Sequence, residues 1–209
     1  AGGLHTLKYG VSANHEIGLE AVTIDGEVMT IRPGLADGVG PDLTGLLCGS
    51  EGTLAMVTQV WVKLTARPMN FRTIVGIFDD SVNASQAVAD IIGSGLVPAA
   101  MEMMDGAMVR VVEDAFNYGF PRDAQALLLI EVDGLEAVLD EQMERVAAIC
   151  RRNKATRVDR SADPAKREQL WSARKRAFGA IGRISPSYCT QDACVPRSTL
   201  PQVIERVAE

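Results

Sequence analysis

No stretch of this sequence stays apolar long enough to cross a bilayer as a helix. The longest apolar stretches, residues 95–104 and 124–130, are interrupted or far short of the ~20 residues such a span needs. Positive charge is also scarce. The 21 Lys and Arg are outnumbered by 27 Asp and Glu, for a net charge of −6, so nothing favours nucleic acid or anionic lipid as a partner. An anionic substrate would need a local basic patch. The four cysteines (Cys48, Cys150, Cys189, Cys194) have no CxxC spacing and no accompanying histidines, which argues against a zinc site or a secreted disulfide framework. Reduced core cysteines of a cytoplasmic protein are expected instead. Neither G-x-G-x-x-G nor G-x-x-x-x-G-K-[ST] occurs in a strand–loop–helix setting, so a Rossmann or P-loop nucleotide site is not supported. The sequence opens on Ala1 without a charged and apolar leader, and its last residues, from Leu200 to Glu209, keep helical register without a glycine stop. Both ends therefore read as cuts in a longer chain.

What is present is an ordinary globular composition. The 209 residues are 47% hydrophobic and 23% charged, enough for one or two domains. Residues 1–67 are rich in glycine and β-like. Residues 18–24 and 28–31 flank Asp25-Gly26, a hairpin signal. Residues 42–47 can form a short helix, residues 49–52 a turn and residues 54–64 a long strand. Ala66-Arg67-Pro68 reads as a domain junction.

From residue 68 apolar strands alternate with amphipathic helices. Strands are expected at 71–78, 99–104, 127–132, 155–158 and 188–195. Helices are expected at 82–92, 105–116, 135–152, 164–181 and from Ser198, with Ser198 as N-cap. In the helix at 135–152, Val138, Met143, Val146 and Ile149 should face a sheet. The order could suit a doubly wound parallel sheet. Short connections and the lack of a glycine-rich strand-to-helix turn favour a split antiparallel, ferredoxin-like α+β sheet.

Two glycine clusters and one basic cluster carry chemical interest. Around Gly3 and Gly10, missing Cβ atoms let backbone amides approach a pyrophosphate or a flat ring, although such glycines also simply form turns. Gly49 and Gly52 join a short helix to a strand, where backbone groups can contact a cofactor. Arg174, Lys175 and Arg176 are consecutive on an expected helix, and side chains ~100° apart let at most two of them serve one site. A solvated basic face is the plain alternative.

The stretches Ala1-Gly-Gly-Leu-His-Thr-Leu-Lys-Tyr-Gly10, Gly18-Leu-Glu20, Asp42-Leu-Thr-Gly-Leu46 and Gly49-Ser-Glu-Gly-Thr-Leu54 resemble, in order and spacing, the FAD-linked oxidase family. That family has a flavin domain of the vanillyl-alcohol oxidase type and includes glycolate oxidase flavoprotein subunits and D-lactate dehydrogenases. The likeness continues through Pro98-Ala-Ala-Met-Glu102, Glu131-Val-Asp-Gly134, Leu170-Trp-Ser-Ala-Arg-Lys175 and Asp192-Ala-Cys-Val-Pro196. It implies that residues 1–67 are the C-terminal part of an FAD-binding domain, and residues 68–209 an incomplete substrate (cap) domain.

By the same resemblance Ala1, Gly2 and Gly3 would line the flavin and pyrophosphate of FAD, and Tyr9 and Gly10 would complete that loop. Strand backbone at Val22 and Val57 would hold the adenine end. Glu51 and Gly52 occupy the matching loop, where Glu51 could equally cap nearby amides. Ala55 stands where relatives often carry glycine. Arg174 matches the arginine that binds the substrate carboxylate, a task suited to a guanidinium fork. Thr190-Gln191-Asp192 lacks the lysine some relatives place there, so that contact is not carried over. His5 and His15 read as loop residues, and the catalytic residues are not identified.

The implied activity is FAD-dependent oxidation of a 2-hydroxy acid such as glycolate or D-lactate to the 2-keto acid. A divalent metal, where the family carries one, would be bound by residues beyond Glu209. Expected partners are the small acid and other oxidase subunits, an iron–sulfur subunit among them. The expected location is the cytoplasm, with peripheral attachment to the inner membrane left open. The 209 residues alone would hold FAD poorly and not turn over. Rival readings are a flavoenzyme of the same fold acting on another alcohol, and a non-catalytic α+β binding module.

Overall fold

The turn at Asp25-Gly26 forms as expected, with Gly26 at φ +82°, the left-handed region a glycine reaches without cost. The computed structural model describes residues 3–31 and 40–208, so Ala1 and Gly2 lie outside the described residues. The chain divides into two compact units between Arg67 and Pro68.

In the first unit a short helix α1 (Thr6–Tyr9) precedes β1 (Glu16–Val22), β2 (Val28–Ile31), helix α2 (Leu43–Leu47) and β3 (Met56–Val62). The sheet order is β2-β1-β3, antiparallel throughout. Asp42 starts α2 by accepting from the Gly45 amide at 2.9 Å. Leu19, Ala21, Leu47 and Ala55 form the small core. β3 is shorter than residues 54–64 because its ladder with β1 runs only from Val22↔Met56 to Glu16↔Val62.

The second unit runs β4 (Asn70–Phe78), α3 (Ser81–Gly93), β5 (Ala100–Asp105), α4 (Gly106–Phe116), β6 (Ala126–Gly134), α5 (Glu136–Arg152), β7 (Arg157–Ser161), α6 (Pro164–Ile181) and α7 (Leu200–Ala208). Aspartates start three of these helices: Asp80, Asp105 and Asp163 accept from the amides of Val82, Met108 and Ala165. Pro164 opens α6, where its missing N–H costs nothing. The strand order β5-β6-β4-β7, with every pair antiparallel, is that of a ferredoxin-like sheet, with α4 added between the second and third strands.

Side-chain alternation sorts the sheet into two faces. Ile74, Phe78, Leu128, Ile130 and Val132 pack with Ala84, Ala87 and Ile91 of α3 and with Leu139, Val146 and Cys150 of α5. The opposite face carries Thr73, Val75, Leu127, Leu129 and Glu131, all buried. Helix α6 reaches this second face through Arg167 and Trp171, which both bond Glu131.

Several expectations need correction. In α5 Met143, Val146 and Ile149 pack into the core as expected, joined by Leu139 and Cys150. Val138 falls one position before Leu139 and is exposed. β7 starts at Arg157 because Lys154 turns through φ +64° and the Ala155 amide is still bonded to Cys150. Residues 188–195 form no strand: an extended segment becomes one only by pairing, and β5 and β7 pair on one side only among the described residues. Ser198 is no N-cap but lies inside a 3-10 turn, Arg197–Thr199, that leads into α7. Of the four cysteines only Cys150 is a core residue. Cys48 is half-buried, and Cys189 and Cys194 are exposed. No helix among the described residues is long and apolar enough to cross a membrane.

Candidate cofactor and substrate sites

Gly3 and Gly10 line one hollow of about 550 Å3 in the first unit, together with His5, Ser12, His15, Glu16, Val60 and Val62. The two glycines are there for different reasons. Gly10 has φ +87°, and a Cβ would sit 2.6 Å from Asn14 Oδ1, which is held by the Val11 amide at 2.9 Å. The chain's own geometry therefore requires glycine at 10. Gly3 has no positive φ, and a Cβ there would meet nothing within 4 Å. Neither backbone nor packing among the described residues explains it, whereas close approach by a bound flat or anionic group would.

Tyr9 ends α1, and its carbonyl lies 2.7 Å from His15 Nε2. His15 thereby ties the glycine loop to the start of β1, a link that sequence reasoning missed. Val22 and Val57 stand at the other end of the same sheet, in the ladder Ala21↔Val57 and Val22↔Met56, whereas Glu16 pairs with Val62 beside the hollow. The two groups of candidate contacts are thus about 17 Å apart along β3, at about 3.4 Å per residue. A ligand touching both must be long, as an extended dinucleotide is. Glu51 and Gly52 take φ +52° and +78° in the turn before β3. Glu51 caps no amide among the described residues, so the local alternative for its side chain is not realised. The left-handed backbone of a glutamate costs about 1 kcal/mol or more. The Gly3 amide already donates to Thr6 Oγ1 at 2.7 Å, and the amides of Thr6, Lys8, Tyr9 and Gly10 are bonded within the loop, so an anion here would have to use other donors.

In the second unit, α6 places Arg167, Trp171 and Arg174 along one side at intervals of four and three residues. Glu131, with 2% of its side chain exposed, accepts from Arg167 through both oxygens and from Trp171 Nε1 at 2.8 Å. This carboxylate pushes the Arg167 guanidinium above its usual range, and the same guanidinium lies 4.4 Å from the centre of the Phe71 ring. Arg174 donates from Nε to Glu102 Oε2 at 2.7 Å. Lys175 is exposed, and Arg176 turns away to the Phe116 ring. The three consecutive cations therefore serve separate surroundings. Thr190 and Asp192 are exposed, outside any strand.

Glu102 and Glu131 were not singled out from the sequence. The signal available was an acid inside each apolar strand, between methionines at 101 and 103 and inside Leu127–Val132. Among the described residues no three His, Cys, Asp or Glu side chains converge as metal ligands.

Comparison with known proteins supports the architecture. Glycolate oxidase subunit GlcD of Escherichia coli (strain K12) is 43% identical over 208 residues, covering 100% of this chain and 42% of that protein. The probable mitochondrial D-lactate dehydrogenase of Danio rerio is 29% identical over 98% of this chain and 42% of its own length. The chain thus spans less than half of these relatives. A solved alkyldihydroxyacetonephosphate synthase superposes with a TM-score of 0.72 over 99% of this chain and 42% of its own, at 19% identity, a likeness of fold. Residues 67–209 match the model for the C-terminal domain of FAD linked oxidases, and the chain belongs to that family.

Proposed function

We propose that this chain is part of an FAD-dependent oxidoreductase that oxidises a small 2-hydroxy acid such as glycolate or D-lactate. Residues 1–67 would supply one wall of the flavin site and residues 68–209 part of the substrate domain. FAD, when bound, supplies the hydride acceptor for the substrate α-carbon, so that the alcohol becomes a ketone. Arg174 holds the substrate carboxylate, fixing the acid in one orientation. Gly3 and Gly10 bring backbone close to the cofactor, with Tyr9 beside them, while Val22, Val57, Glu51 and Gly52 serve the end of the sheet where its adenine would lie. Ala1 and Gly2 are assigned to the same loop by family resemblance alone. The base that takes the hydroxyl proton belongs to parts of the whole protein outside these residues, as does any metal site.

The observation that carries this reading is Arg174. It is half-buried, with 26% of its side chain exposed, and neither terminal nitrogen has a hydrogen bond among the described residues. A half-buried guanidinium whose end edge is unbonded among the described residues suits a planar anion. The relatives are named as a glycolate oxidase subunit and a D-lactate dehydrogenase, whose substrates carry such an anion. Partner oxidase subunits, an iron–sulfur subunit among them, and a cytoplasmic location with peripheral attachment to the inner membrane belong to the same proposal. So does weak FAD retention, without turnover, by the 209 residues alone.

The test is Arg174→Met in the full-length, FAD-loaded protein that carries this chain. KM for the hydroxy acid is expected to rise at least about tenfold, the loss of one charge-assisted contact. An unchanged KM would remove the carboxylate clamp, and a full-length protein that cannot take up FAD would remove the enzyme reading altogether.

A further inference from the structure

A guanidinium offers a carboxylate two planar edges, a side edge at Nε with one terminal nitrogen and an end edge at Nη1 with Nη2. Of the seven arginines of the second unit paired with carboxylates among the described residues, Arg72, Arg167 and Arg174 use these edges differently. Arg72 uses all three nitrogens: Nε donates to Asp140, Nη2 to Glu136 and Nη1 to the Phe71 carbonyl. Arg167 spends its side edge on both oxygens of Glu131. Arg174 gives only Nε, to Glu102, and neither terminal nitrogen has a hydrogen bond among the described residues.

Glu102 is well placed to hold that arrangement. It lies on β5 opposite Leu129 of β6, so its backbone is tied into the sheet. Its side chain is 20% exposed and that of Arg174 26%. The Phe178 ring, 5.7 Å from the guanidinium carbon, flanks the same group. A free arginine side chain pays roughly 2 kcal/mol of rotamer entropy to hold one pose; here a strand-borne carboxylate has already fixed it. We infer that Glu102 is a positioning residue for the substrate arginine. It engages Nε so that the end edge of Arg174 faces the site ready to take a carboxylate. Its own charge also offsets that of the arginine, so an anion is held by fitting the end fork rather than by net attraction alone. This rests on the reading of Arg174 given above.

The test uses steady-state kinetics of the full-length, FAD-loaded protein with a 2-hydroxy acid, with flavin content and Tm measured for each variant. Glu102→Ala is expected to raise KM about tenfold, with kcat within about twofold. Glu102→Gln should restore most of the loss, because the amide oxygen accepts the same Nε–H. Glu102→Asp keeps the charge but draws the acceptor back by one methylene, so it should also raise KM, and it serves where alanine costs the fold. Arg174→Met combined with Glu102→Ala should match Arg174→Met alone, as coupled residues do. If Arg174→Met raises KM while the Glu102 variants do not, the positioning role fails and the clamp stands. If Arg174→Met leaves KM unchanged, both fall. A glutamine variant as impaired as alanine, or a Glu102 effect that persists without Arg174, would reduce Glu102 to a structural residue and overturn the inference.

Discussion

Trp171 on α6 donates its indole N–H to the buried Oε2 of Glu131 on β6, 2.8 Å away and 40 residues earlier in the chain. The same carboxylate takes Arg167 through both oxygens, so one acid in the middle of an apolar strand satisfies two side chains of a helix. Removing it would leave the indole donor unpaired and part of a cation buried.

Glu131→Ala is therefore expected to destabilise the second unit by about 3 kcal/mol, the low end for breaking a buried pair, because Arg167 keeps a third of its side chain exposed. Urea unfolding measures it. A loss below about 1 kcal/mol would mean that α6 is held by its apolar contacts alone.

These acids mark the limit of what the sequence discloses. Helix starts at Asp80, Asp105 and Asp163, the hairpin at Asp25-Gly26 and the order of elements are local facts, written in capping residues and periodicity. The pairing of Glu102 with Arg174 spans 72 residues, and that of Glu131 with Arg167 spans 36. Such partners are set by register between β5 and β6 and by where α6 lands, neither of which a single segment encodes. Residues 188–195 misled for the mirror reason: an extended-looking stretch needs a neighbour to become a strand. Arg174 itself was legible only through family resemblance, and the structure adds that its terminal nitrogens make no hydrogen bond among the described residues.

Glu113 accepts from the amides of Gly119 and Phe120 at 3.0 and 3.1 Å while 5% exposed. It ties down the loop after α4, which walls a cavity of about 400 Å3 with Val75, Ile77 and Leu170. Glu113→Ala should cost about 2–3 kcal/mol. It should also speed hydrogen exchange at the Gly119 and Phe120 amides more than at β6 amides. Uniform acceleration across the unit would contradict a local clamp.

The two glycines of the first unit should separate stability from cofactor binding. Gly10→Ala forces φ +87° and a 2.6 Å approach to Asn14 onto a side chain, so it should lower stability by about 1–2 kcal/mol or more. Gly3→Ala should leave Tm unchanged and lower FAD retention in the full-length protein. Unaltered flavin content in Gly3→Ala would withdraw Gly3 from the cofactor site.

Burial pushes the Cys150 thiol up to about 11. The unfolded chain loses that proton first, near the usual thiol range of about 8.5, so the folded state binds more protons between the two values. The contribution to stability is full below that range and falls as pH rises towards 11, by at most about 3 kcal/mol. Unfolding measured at pH 8 and pH 10.5 should show a loss that is smaller in Cys150→Ala. In native protein a thiol reagent should label the exposed Cys189 and Cys194 quickly and Cys150 only in denaturant.

Arg167 and Arg174 sit two helical turns apart, about 10 Å along the axis of α6. Their acids lie on neighbouring strands, diagonal to one another at about 7–8 Å. Two pins through one rod remove its freedom to roll or slide. A helix fastened at a single point could still swivel its far end, whereas this one is tied to both β5 and β6, through Arg174 and Arg167. A volume change among the methionines of β5 is thus expected to re-aim the arginine without touching it.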